Sequence, residues 1–241
     1  MTPSTPQAAS QGRDHASERA GDPAIVGWLL LAIAGLGGFA AITVLLLNGW
    51  TPGFDQPLLD GAKQWQGLAV LWRVISESAN IPLIVIGVGM VLVLFFTNHR
   101  REAVLVAAIL IAITAGSEAV KQLVHRNRPE GTDPNIPGVV YSYPSGHVLE
   151  ALSIFGILAI RAFRSRLATI GRVLIVVAVL IDADLVGIAR VALAAHWPSD
   201  VIASYIGALG VLGVYGVLTH HRAGSRTGAD VAQPADARAT P

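Results

Sequence analysis

The chain has no cysteine and little charge. The missing cysteines exclude disulfides and thiolate metal sites, and they leave the redox compartment unreadable. Only 14% of the 241 residues are charged, against roughly 25% in an average soluble domain. There is no basic tail, zinc-ligand spacing or stripe of base-stacking aromatics, so nucleic acid is not an expected partner. The formal net charge of +1 favours neither acidic nor basic partners. No internal repeat is visible.

Long apolar runs take the place of charge: 53% of residues are hydrophobic and the mean hydropathy is +0.57. Runs near 24–48, 79–97, 102–120, 148–164, 169–189 and 200–219 each approach the ~20 residues a helix needs to cross ~30 Å of hydrocarbon. The expected fold is therefore all-α, an integral membrane bundle of six transmembrane helices. The first run exceeds the roughly 7–15 residues of a signal-peptide core, and it is read as a retained helix. Trp65, Leu68, Leu71, Trp72 and Ile75 recur at spacings of three and four, which predicts an additional short helix in the first outer loop. It either lies in the interface or caps the bundle. The expected division is a polar, disordered tail at 1–22, a membrane domain at 23–221 and a second disordered tail at 222–241.

Lysine and arginine set the orientation. With both termini in the cytoplasm, eleven of the seventeen Lys and Arg residues fall inside and six outside. The outside six are Lys63, Arg73, Lys121, Arg126, Arg128 and Arg190. Topology disfavours cations there, so some of them are expected to serve a site.

Two outer connections concentrate reactive side chains. One runs from Lys121 through Arg128-Pro129 to Pro144-Ser145-Gly146-His147, and the other holds Arg190, His196 and Asp200. Lysine acts as a point charge, and arginine offers a planar fork that matches phosphate oxygens. Ser145 and Gly146 fall at a predicted helix start, where free backbone N–H groups and the helix dipole favour an anion. His147 can donate a proton to a leaving oxygen. His196 can act as a nucleophile once an acceptor holds its other ring nitrogen, and Asp200, four residues on, can provide that hold.

These blocks resemble the type 2 phosphatidic acid phosphatase family, which shares its site with vanadium haloperoxidases. Its pattern of Lys, six residues, Arg-Pro is met by Lys121 to Pro129. Its Pro-Ser-Gly-His is met by 144–147. Its Ser-Arg, five residues, His, three residues, Asp is met by Arg190, His196 and Asp200, with Ala189 where the family usually has Ser. The resemblance implies hydrolysis of a lipid phosphate or diphosphate in the membrane. Polyprenyl (undecaprenyl) diphosphate leads, ahead of phosphatidylglycerol phosphate and phosphatidic acid. It further implies His196 as nucleophile, His147 as acid and Asp200 as orienter. Lys121, Arg128, Ser145, Gly146 and Arg190 become phosphate ligands, with no metal and no cofactor. The expected location is a bacterial inner membrane, with the site on the extracytoplasmic face. A non-catalytic lipid-phosphate binder or transporter on the same scaffold is the reading from another class, and a phosphotransferase using the same phosphoenzyme is a third.

Outside the blocks, His125 and Arg126 are read as loop or headgroup contacts. Glu118, Glu150, Asp182 and Asp184 lie within or near apolar runs and are expected to face the bundle interior. Glu118 is expected to pair with Lys121, and Glu150 to tune His147.

Overall fold

The structure is a computed structural model that describes residues 22–132 and 141–229, with side chains as far as 220. Most of the expected first tail and the last twelve residues of the second lie outside the described residues. The helices are α1 (Pro23–Leu47), α2 (Asp55–Lys63), α3 (Ala69–Ser78), α4 (Ile81–Phe96), α5 (Arg100–Val124), α6 (Gly146–Arg164), α7 (Thr169–Ala192) and α8 (Pro198–Ala229). The described residues include no strand, only an isolated antiparallel bridge between Asn127 and Tyr141.

Five stretches are long and apolar enough to cross a membrane: α1, Gln66–Phe96, α5, α6 and Pro198–His220 of α8. The expected run at 169–189 forms the 24-residue α7, which carries Arg172, Asp182, Asp184 and Arg190 and so exceeds the charge limit of an apolar span. It nonetheless packs along α6 as the remaining member of the bundle. The helix predicted around 65–75 appears as a 3-10 turn at Gln66–Leu68 leading into α3. One face of it docks on α7 through Ser76 and Ser78, which places it in the bundle beside the site. The short helix α2 was not foreseen.

α1 and α8 make the most extensive helix pair, and small residues explain it. Gly207, Gly210, Gly213 and Gly216 repeat every third residue on α8 and face Phe39, Gly35, Ala32 and Trp28 of α1. A Cβ on Gly210 would meet the backbone nitrogen of Leu36 at 2.6 Å, and one on Gly213 would meet Cα of Ala32 at 2.7 Å. The apolar core lies between α4, α5, α6 and α8, with Leu83, Val106, Val148 and Ile157 fully buried.

Both ends of the bundle carry polar clusters of different kinds. At one end Glu102 accepts from Arg161 and from the buried Tyr215, a local ion pair with every member satisfied. The end of α5, the start of α6, the end of α7 and the start of α8 meet at the other.

Candidate active site

Each motif block reaches this end for a local reason. α5 stops at His125, which takes a left-handed conformation (φ 51°) and turns the chain so that Arg126 and Arg128 fall back over the bundle. α6 begins at Gly146, with Ser145 in extended conformation as N-cap. The Ser145 side chain makes no capping bond, which leaves the first N–H groups of α6 without it. α7 ends in a tight turn closed by the N–H groups of Ala195 and His196 on the Arg190 carbonyl, at 2.9 and 3.2 Å. Ala194 holds φ 51° in that turn, a strained value for alanine. The turn folds His196 back against Arg190.

The imidazole of His196 is 2% exposed. Its Nδ1 lies 2.5 Å from the carbonyl oxygen of Ser142. A carbonyl only accepts, so Nδ1 carries the proton and Nε2 keeps its lone pair. Arg190 Nη2 lies 3.4 Å from Nε2. Asp200, expected as the direct hold on Nδ1, is 3.8 Å away, beyond hydrogen-bond distance but within electrostatic reach. It accepts instead from the Trp197 N–H at 2.9 Å and from Arg126 at 2.5 Å. Burial pushes the His196 imidazole down to about 4, Asp200 opposing this and Arg190 adding to it.

Ser142 is held in turn. Its N–H donates to the Arg126 carbonyl at 2.7 Å, and its hydroxyl donates to the carbonyls of Arg126 and Asn127. Next along, the buried Tyr143 stacks on Phe39 and shares a 2.8 Å hydrogen bond with Thr43 of α1. A backbone carbonyl is not legible from side-chain types, so sequence reasoning had no route to this contact.

Lys121, Arg128, Arg190 and His196 all lie within electrostatic reach of His147. Lys121 Nζ would be 3.8 Å from a Cβ on Gly146, so the cation lies against the start of α6. All eight expected site residues are thus gathered at one end of the bundle. Ser145 Oγ, Arg128 Nε and Arg190 Nε are buried there without a hydrogen-bond partner in the protein. Buried donors are nearly always satisfied, so three in one cluster mark a place built for an anion. Ser117 Oγ, one turn before Lys121, is a fourth such atom, 3.3 Å from the same Cβ position of Gly146. Arg190 Nη1 donates to Ser76 Oγ at 3.0 Å, an unforeseen contact from α3. Ala189 is fully buried.

Outside the blocks, Glu118 does pair with Lys121, at 3.3 Å. Its side chain is 47% exposed, however, and Asp184 is exposed too, so neither faces the interior as expected. Glu150 accepts from Thr114 at 2.9 Å, and Asp182 accepts from Ser78 at 3.4 Å. His125 packs edge-on against Tyr141. Arg126 is no surface contact: it is drawn into a buried network with Asp55, Ser199 and Asp200.

A helical membrane bundle with cations, buried unpaired donors and a helix start gathered at one end fits a class of membrane proteins that handle phosphate esters. The sequence model of the PAP2 superfamily matches residues 102–222, half of the chain, and the protein belongs to that superfamily. The fold is similar to the crystal structure of a transmembrane PAP2-type phosphatidylglycerolphosphate phosphatase from Bacillus subtilis. The TM-score is 0.60 at 19% identity, covering 79% of this chain and 97% of that one. No curated protein matches the chain. Superfamily and fold together support a multi-pass membrane phosphatase.

Proposed function

We propose that the protein hydrolyses lipid phosphates or diphosphates through a phosphohistidine on His196. The observation that carries this reading is the cluster of unpaired buried donors, Ser145 Oγ, Arg128 Nε and Arg190 Nε, around a histidine whose Nε2 is unprotonated and meets only a long 3.4 Å contact from Arg190 Nη2. In this reading Lys121, Arg128, Arg190, Ser145 and the N–H groups at Gly146 hold the phosphoryl oxygens. His196 Nε2 attacks phosphorus, and His147 gives a proton to the departing oxygen. The imidazolium formed on His196 is stabilised by the Ser142 carbonyl and the Asp200 carboxylate. Water then attacks the phosphohistidine, returning free His196 and phosphate.

The three cations supply the charge stabilisation that a metal gives in other phosphatases, so we propose metal-independent chemistry. A lipid substrate is favoured by a groove of about 520 Å³ between α4, α5 and α6. Leu83, Gly87, Leu110 and Ile154 line it, and Thr114, Glu118 and Glu150 give it a polar side. A hydrocarbon tail can lie there while the headgroup reaches Lys121. Among lipids, a polyprenyl diphosphate is the leading candidate. The Lys and Arg distribution favours an extracytoplasmic site in a bacterial inner membrane.

The test is phosphate release by the purified protein from polyprenyl diphosphate, phosphatidylglycerol phosphate and phosphatidic acid, with EDTA present. The wild type is expected to release phosphate, and His196→Ala is expected to release none. Full activity in His196→Ala would remove the proposed nucleophile, and a strict requirement for added Mg²⁺ would overturn metal independence.

A further inference from the structure

The pattern that defines the site leaves position 126 free, yet Arg126 is engaged on both its Nη atoms. Its Nη1 donates to Asp200 Oδ1 at 2.5 Å and to Ser199 Oγ at 2.7 Å, and its Nη2 donates to Asp55 Oδ2 at 2.6 Å. The guanidinium carbon lies 5.4 Å from the centroid of the Trp197 ring. Asp55, at the start of α2, is 3% exposed and Asp200 is fully buried. Asp55 also accepts from the Ser199 N–H at 2.8 Å and from the Ser199 hydroxyl at 2.6 Å, and so caps the first turn of α8 from another part of the chain.

Two buried carboxylates and one guanidinium thus form a chain, Asp55–Arg126–Asp200, whose inner end lies 3.8 Å from His196 Nδ1. Both Nη atoms of Arg126 are taken by it, so this residue is not part of the phosphate cradle. Charged and titratable groups face His196 from several elements. They are Arg190 from α7, with Glu77 of α3 near it, Arg128 from the 125–132 segment, His147 from α6 and Asp200 from α8. Among the described residues Asp200 is the anion within 4 Å of the imidazole, so whatever sets its position and charge acts directly on the proposed nucleophile.

We propose that Arg126, anchored by Asp55, is a positioning residue for the histidine step: it fixes the Asp200 carboxylate beside His196 and offsets part of its charge. The proposal rests on His196 being the nucleophile. Removing the Arg126 cation leaves Asp200 fully negative beside the imidazole, held at one oxygen by the Trp197 N–H but without the bond that fixes the other. Protonation of His196 then becomes easier, and the imidazolium formed in the reaction is less well placed. Removing the Asp55 anion acts in the opposite sense on the charge, because Arg126 then serves Asp200 alone.

The experiment compares the wild type with Arg126→Gln, Arg126→Lys, Asp55→Asn and His196→Ala, as full-length protein in detergent, on the best substrate of the lipid panel. It records kcat, KM, the acid limb of kcat/KM and thermal stability. For Arg126→Gln the expected result is a fall in kcat of about 10–100-fold, the size seen when an orienting partner is lost. KM should stay within about twofold, and the acid limb should move up by about one pH unit. Asp55→Asn should move the limb down. Arg126→Lys should bring the limb back toward wild type, and these two variants carry the test if Arg126→Gln does not fold.

Wild-type kcat and an unmoved limb in a folded Arg126→Gln, with only stability lowered, would reduce the network to a structural role. A raised KM at unchanged kcat would instead make Arg126 a phosphate ligand. Activity in His196→Ala would remove the nucleophile itself, and a wild type inactive on the whole panel would remove both readings.

Discussion

At the scale of single residues, the burial of His196 has a direct consequence for pH dependence. A nucleophilic imidazole must be neutral at Nε2, and burial holds this one at about 4 rather than at the usual histidine value near 6.5. The neutral form binds one proton fewer, so activity is present above the depressed value and lost as pH falls through it. The acid limb of kcat/KM is expected near pH 4 to 5, and a pH–rate profile checks it; a limb near 6.5 would mean that the site is open to water. The cradle makes a second prediction. Arg128 has a buried Nε with no partner, and lysine has no equivalent donor. Arg128→Lys is expected to keep the charge but lower kcat/KM by roughly tenfold or more, the loss of one charge-assisted hydrogen bond of about 1.5–3 kcal/mol. Ala189 makes a third. If the cradle lacks the hydroxyl that the family usually has there, Ala189→Ser should raise kcat/KM by a similar factor. No gain would mean that the Ser76–Arg190 contact already occupies that place.

At the scale of elements, the long helices were legible because each apolar run has about the length of a span and the motif blocks fall at their ends, whereas the short polar α2 has no apolar run to announce it. Gly146 could be placed at a helix start because Pro144-Ser145-Gly146 precedes an apolar run. What was not legible came from long-range contact. Arg126 meets Asp55 across 71 residues, and Ser142 meets His196 across 54, so no local spacing could announce either pair. The one available hint was charge placement, since Arg126 is a cation on the face where topology disfavours cations. Glu118 and Asp184 depart from the expectation because an acid within an apolar run can also lie on the outer face of the bundle, Glu118 beside Lys121 near the end of α5. The α1–α8 pair was open to reading as a glycine every third residue from 207 to 216, a stripe that lets two helices touch along their backbones. Gly213→Leu puts a side chain where Ala32 of α1 already lies. Overpacking of this kind costs roughly 1–3 kcal/mol or more. It should lower the melting temperature in detergent and, because Phe39 and Thr43 of α1 hold Tyr143, also reduce activity. A neutral effect on both would mean that α1 is not needed to hold the Ser142 carbonyl in place.

At the scale of the whole molecule, the two ends of the bundle differ in kind, and that difference is tied to topology. One end closes on itself, with Glu102, Arg161 and Tyr215 satisfying one another. The other gathers Lys121, Arg128 and Arg190 with donors left over. The positive-inside rule favours the cytoplasm for the excess of Lys and Arg, and on that orientation, proposed above, the end with the cation cluster would lie outside in spite of its charge. Such an arrangement suits a substrate whose headgroup is presented on the outer leaflet while its tail stays in the groove beside α5. The absence of native cysteine makes this orientation directly measurable. Glu130, exposed in the segment after Arg128, and Leu167, exposed in the turn between α6 and α7, lie at opposite ends of the bundle. In intact spheroplasts, Glu130→Cys should react with an impermeant thiol reagent, and Leu167→Cys should react only after lysis. The reverse pattern would put the site in the cytoplasm. The substrate would then have to be a lipid phosphate exposed on the inner leaflet, and the case for a polyprenyl diphosphate presented on the outer face would fall while the proposed chemistry at His196 stood.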